Sequence, residues 1–182
     1  HPHARILRID ITGALAMPGV HAVVTQDDVW GSRSYGLERH DQPVFADGVV
    51  RFHGEPIAAV AADHPELAAR ACAAIEVEYE VLEPLVDAEA AITAPPIHPD
   101  GNVFRHIRLR HGDPAATGDV VVEGTYEVGM QDQAFLGPES GLAVPSEDGG
   151  VELFVATQWL HVDRDQIAAC LDLPREKVRL SL

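Results

Sequence analysis

The stretch DHPELAARACAAIEVEYEVL, residues 63–82, changes period in its middle, and that change decides the fold class. In its first half Leu67, Ala71, Cys72 and Ile75 recur at helical spacing, Asp63 is placed to accept a first-turn amide hydrogen bond, and Glu66 occupies the reciprocal capping-box position. From Ile75 onward, Val77, Tyr79 and Val81 alternate with Glu76, Glu78 and Glu80, the two-residue period of a strand with one buried face and one carboxylate-rich wet face. The alanines keep the helix slim, so it can lie close on a sheet. Helix followed directly by half-buried strand predicts an α+β fold.

Working outward, ARILRID predicts an early strand around Ile6, Leu7 and Ile9, and PGVHAVVTQDDV a turn and a strand through Val23 and Val24. ADGVVRFHGEPIAAVAADH predicts two short strands, Val49 to Phe52 and Ile57 to Ala62. Downstream, residues 87–113 lose periodicity, and PPIHPDGN carries three prolines in eight residues, which marks a crossing segment. A second unit starts near Val120. There Val120, Val122, Tyr126 and Val128 share strand parity, GLAVP and VELFVATQ supply further strands around the turn SEDGG, and HVDRDQIAACLDLP predicts a helix. Its start chemistry reads as Asp163 at the N-cap, Gln166 as reciprocal capper, and Val162 with Ile167 as a hydrophobic staple. KVRLSL then places Val178, Leu180 and Leu182 on one strand face. The boundaries that follow are 1–93, a crossing segment at 94–118, and 119–182. Apolar strands at both ends would need neighbours to cover them, so the chain reads as a piece of something larger.

Composition narrows the function. The 182 residues carry 29 acidic against 13 basic side chains, net −16 with pI near 4.8, a field that repels phosphate backbones and argues against a nucleic-acid partner. Cys72 and Cys170 sit in separate alanine-rich patterns with no CxxC, which predicts buried reduced thiols and a cytoplasmic setting. No apolar run reaches the ~18 residues of a membrane span, and the opening HPHARILRID has no signal-peptide form. Several tempting clusters have plainer readings. His98, His106 and His111 near the crossing have no metal-ligand spacing, His1 and His3 could hold a divalent ion only adventitiously, and Asp27-Asp28 and Glu76/Glu78/Glu80 read as solvated carboxylates. No GxSxG elbow is present. Trp30 and Trp159 read as packing at domain or subunit boundaries.

Four stretches carry a resemblance: HPHARILRIDITGALAMPGVHAVVT, FADGVVRFHGEPIAAVAADHPELAARACAAIEVEYEVLEPL, GTYEVGMQDQAFLGPESGLAVP and TQWLHVDRDQIAACLDLPREKVRL. In this order and spacing they resemble the molybdenum hydroxylases, typified by xanthine dehydrogenase and aldehyde oxidase, in their large molybdopterin-binding subunit. The resemblance implies an α/β hammerhead domain up to about residue 93, then the start of the molybdopterin-binding domain from about 119. It implies that Gln131 is the glutamine beside an oxo ligand of molybdenum, able to orient that ligand without adding charge. Gln133 does not inherit this role and reads as a polar scaffold residue, Phe135 and Leu136 as packing for the segment, and Pro138 with Glu139 as the exit from it.

The family's glycine-rich GGGFGG-like contact and its distal catalytic glutamate have no counterpart in these residues. The sequence therefore assigns no catalytic residue and no direct metal ligand, and the expectation is that this stretch alone is inactive and retains no cofactor. For the intact enzyme the resemblance implies hydroxylation of an N-heterocycle or an aldehyde with water-derived oxygen, as in purine metabolism. Electrons would pass from molybdopterin through two [2Fe-2S] clusters to FAD in partner domains or subunits, within a higher-order oligomer. The other class left open is a noncatalytic structural or protein-interaction module with the same fold.

Overall fold

The computed structural model describes residues 1–137 and 140–182. In chain order its elements are β1 (Ala4–Asp10), α1 (Thr12–Leu15), β2 (Val20–Thr25), β3 (Ser34–Tyr35), β4 (Gln42–Pro43), β5 (Val49–Val50) and β6 (Ala58–Ala62). There follow α2 (Pro65–Ala73), β7 (Glu76–Val81), α3 (Ala88–Ala91), β8 (Gly141–Pro145), β9 (Val151–Val155), α4 (Leu160–Leu171) and β10 (Val178–Ser181). Mixed helix and strand in this order is the expected α+β class. The chain divides into two compact units, His1–Pro84 with Glu139–Leu182, and Leu85–Pro138.

In the first unit β1 is the middle strand of an antiparallel sheet ordered β5-β1-β7, with Ala4 opposite Val81 and Ile6 opposite Tyr79. The alternation read in residues 75–82 is realised as far as Glu80, with Val77 and Tyr79 half-buried and Glu76, Glu78 and Glu80 facing water, whereas Val81, expected on the covered face, is exposed at 62%. That acidic face is partly neutralised by β1, whose Arg5 pairs with Glu80 and Arg8 with Glu76. One small core gathers Ala4, Ala46 and Val50 with Ile6, Ile57 and Tyr79 around it. A second joins α1, α2 and the β2–β6 pair through Ala14, Val23 and Ala71. Ala14 and Ala71 are fully buried, so the slimness of α2 is what brings its axis near the strands.

Helix α2 starts differently from the sequence expectation. His64, not Asp63, is the N-cap, and its Nδ1 accepts the Glu66 amide at 3.3 Å, with Pro65 in the first turn where its missing N–H costs nothing. Asp63 is committed elsewhere: its amide donates to the Gly19 carbonyl and its carboxylate meets His21 Nε2 at 2.5 Å. Cys72, expected in the core, is exposed, because the buried stripe passes through Ala71 instead. Cys170 is half-buried, and both thiols are free.

Residues 141–181 build a β8-β9-β10 sheet. Strand β8 runs antiparallel to β9 through the turn at Ser146–Gly150, and β10 runs parallel to β9, with α4 as the crossover that a parallel pair requires. Helix α4 begins at Leu160 with Trp159 as N-cap, about one turn before the expected start. Asp163 therefore lies inside the first turn, where its carboxylate accepts the Thr157 hydroxyl. The helix ends on Asp172 in the left-handed conformation, φ 54°.

The second unit contains α3, capped by Asp87 through the Ala90 amide at 2.8 Å. Beyond it, Asn102 ties the proline-rich turn together. Its side chain donates to the Ala91 and Ala94 carbonyls and accepts the Ile97 amide at 2.8 Å. The strand expected through Val120–Val128 is not formed. Residues 103–137 carry neither helix nor strand, and Val122, Tyr126 and Val128 are about as exposed as in an extended chain, at 89%, 93% and 91%. An alternating pattern needs a neighbouring strand to satisfy its amides, and none is paired to this segment.

Candidate functional site

Gln131 lies in the second unit, outside any helix or strand, with its side chain exposed. Among the described residues no hydrogen bond engages its carboxamide, so its two N–H donors are available to an acceptor from outside this unit. Gln133 is exposed as well, and Ala134 between the glutamines and Phe135 has φ 51°, in the left-handed region that a non-glycine residue occupies at a cost of about 1–2 kcal/mol. Phe135 and Leu136, read as packing residues, are instead exposed at 56% and 102%. Pro138 and Glu139 lie outside the described residues.

The other candidates resolve into structural roles. Asp28 accepts the Thr25 amide at 2.8 Å and the Thr25 hydroxyl at 3.1 Å, closing a short 3-10 turn, and Asp27 faces Arg33 at 3.6 Å. His98, His106 and His111 are exposed, and among the described residues no three His, Cys, Asp or Glu side chains converge as a metal-holding group. Trp30 and Trp159 are exposed at 84% and 55%.

Sequence reading misses a concavity inside the first unit. A cavity of about 500 Å³ lies between the β3–β4 hairpin and α4, walled by Val44, Val155 and Ile167 and edged by Tyr35, Gln166 and Cys170. Desolvation, with a smaller contribution from Cys170, raises the Tyr35 phenol above its ordinary value, and desolvation likewise raises the Cys170 thiol. Both stay protonated at neutral pH. Gln166, read as a capping residue of its own helix, accepts the Gly36 amide at 3.0 Å instead. Gln26, buried at 6%, also escapes sequence reading; its carboxamide donates to the Arg33 carbonyl and accepts the Phe45 amide. The only signal for it is a glutamine directly after an apolar strand run, which is weak.

Comparison with known proteins covers both regions of the chain. Residues 1–83 match the family described as "Aldehyde oxidase and xanthine dehydrogenase, a/b hammerhead domain", and residues 97–182 match "Molybdopterin cofactor-binding domain". A probable xanthine dehydrogenase subunit of Bacillus subtilis is 40% identical over 99% of this chain and 25% of its own length. The nicotinate dehydrogenase large molybdopterin subunit of Eubacterium barkeri is 38% identical over 98% of this chain and 43% of its own. Among solved structures, the aldehyde oxidoreductase of Desulfovibrio gigas superposes with a TM-score of 0.85 at 29% identity, over 98% of this chain and 22% of that one. The chain thus spans a quarter to under a half of the two relatives from Bacillus and Eubacterium. It belongs to the molybdenum hydroxylase (xanthine dehydrogenase/aldehyde oxidase) family, in the large-subunit region where the hammerhead domain is followed by the start of the molybdopterin-binding domain.

Proposed function

We propose that the intact protein hydroxylates an N-heterocycle or an aldehyde with water-derived oxygen, and that Gln131 donates a hydrogen bond to the molybdenum cofactor. The observation that carries this reading is the continuous similarity, 40% and 38% identical across nearly the whole chain, to subunits named for xanthine and nicotinate dehydrogenation. The residues present fit one wall of a cofactor site. Among the described residues Gln131 offers an uncommitted, exposed neutral carboxamide, the group suited to an oxygen acceptor where added charge would disturb a redox centre.

When bound, the molybdenum cofactor supplies the two-electron redox chemistry. This chain's own contribution is narrower: Gln131 holds an N–H donor toward an oxygen of the cofactor and fixes its orientation. Residues 1–93 serve as the hammerhead scaffold, 94–118 as the crossing segment and 119–182 as the beginning of the cofactor-binding domain. Iron-sulfur and FAD domains or subunits are the electron-accepting partners, and the assembly is cytoplasmic; among the described residues no helix is long and apolar enough to cross a membrane. The test is elemental mass spectrometry for molybdenum, with pterin release, on the full-length protein purified with its native partners. Equimolar molybdenum and pterin per large subunit is the expected result. Absence of both from a matured, folded preparation would sink the assignment.

A further inference from the structure

We infer that the loop from Gly31 to Gly36 is an interdomain latch whose partner is the C-terminal half of α4. The Gly31 amide donates to the Cys170 carbonyl at 3.0 Å, the Ser32 amide to the Ala169 carbonyl at 2.8 Å, and the Gly36 amide to Gln166 Oε1 at 3.0 Å. The last four carbonyls of a helix lack partners within it. Here the helix's own closure uses Leu173 to reach Ala168 at 2.9 Å and Asp172 to reach Ala169 at only 3.4 Å. The loop supplies the Cys170 carbonyl with a donor and the Ala169 carbonyl with a shorter one.

Gly31 is required for clearance rather than for conformation. Its φ is not among the positive values of the chain, yet a Cβ built on it would overlap the Ala169 carbonyl oxygen and come within 2.8 Å of the Asp172 amide nitrogen. Both of those are backbone atoms and cannot swing aside. The loop is also shaped before it meets the helix. Buried Gln26 holds the Arg33 carbonyl at 2.9 Å, the Val44 amide binds the same carbonyl at 3.0 Å, and Ser32 Oγ donates to the Ser34 carbonyl at 2.6 Å.

Two concavities border the same loop, the one of about 500 Å³ and another of about 240 Å³ edged by Ser34, Leu37, His40 and Val162. The directed hydrogen bonds set the attitude of α4, and with it the β9–β10 pair it bridges. Because residues 31–36 fall in the hammerhead match and residues 166–170 in the molybdopterin-domain match, the latch fixes one domain region on the other. This holds whatever the substrate and does not depend on the role proposed for Gln131.

The test is amide hydrogen exchange by mass spectrometry on the full-length protein. Gly31→Ala is expected to accelerate exchange roughly tenfold or more in peptides covering both 31–36 and 166–173, leaving the β1–β7 peptides unchanged. Gln166→Ala is expected to accelerate exchange at Gly36, and Gln166→Glu, which keeps an oxygen acceptor, to restore it. Should Gly31→Ala fail to fold, the Gln166 pair decides. Unchanged exchange over 31–36 in Gln166→Ala, or over 166–173 in a folded Gly31→Ala, overturns the latch.

Discussion

Residues 75–82 and residues 120–128 both carry an alternating pattern, yet only the first is folded into a sheet. The difference lies in where the partner strand is encoded. Strand β7 finds β1 within the same compact unit, so its Val77 and Tyr79 are covered. The segment through Val122, Tyr126 and Val128 has no paired strand and stands exposed. An amphipathic pattern states what a segment needs; the topology decides whether this stretch of chain supplies it.

Substitutions sharpen that contrast. Ala71→Leu places extra methylenes into a fully buried position between α2 and the β2–β6 pair, and should destabilise by about 1–3 kcal/mol. Val122→Ser, at an 89% exposed side chain, should change the stability of the 182-residue chain by less than about 0.5 kcal/mol. Denaturant melts of the two variants measure the comparison directly, and a larger effect at Val122 than at Ala71 would break it.

Much of the first unit is legible in the sequence for the same reason. The β6–α2–β7 succession, β8, β9, the α4 crossover and β10 all follow from local period and turn residues. Helix starts are less legible, because a cap is chosen by competition: Asp63 is drawn away by His21 and Gly19, leaving His64 to cap α2. Gln166 has the spacing of a local capper, whereas its acceptor serves Gly36, 130 residues distant in sequence. Gln131 as a site residue rests on resemblance to a family, since no local chemistry sets it apart from Gln133.

A smaller effect is expected at the end of α4. Asp172→Gly removes a side chain from a left-handed residue, φ 54°, and should stabilise by roughly 0.5–1 kcal/mol in thermal or denaturant unfolding. A destabilisation would show that the Asp172 side chain holds the helix end. The smallest expected effect concerns acid. The Lys177 side chain first, then the Gly150 amide, hold the Asp148 carboxyl below its ordinary 3.8. A depressed carboxylate adds stability that is complete above the unfolded value and is lost as pH falls through the folded one. The β8–β9 turn should therefore be indifferent to pH between about 5 and 8 and loosen only below about 4. In Lys177→Met an NMR titration should find the Asp148 carboxyl returned toward 3.8; an unmoved titration would reassign the shift to the backbone.

The cofactor-side role rests on Gln131, and it is tested by replacing that side chain in the fully loaded, full-length enzyme while following molybdenum content and turnover together. Gln131→Ala is predicted to retain molybdenum and pterin at the wild-type level but to lose about 10–100-fold in kcat. Wild-type turnover at unchanged cofactor content would contradict that role.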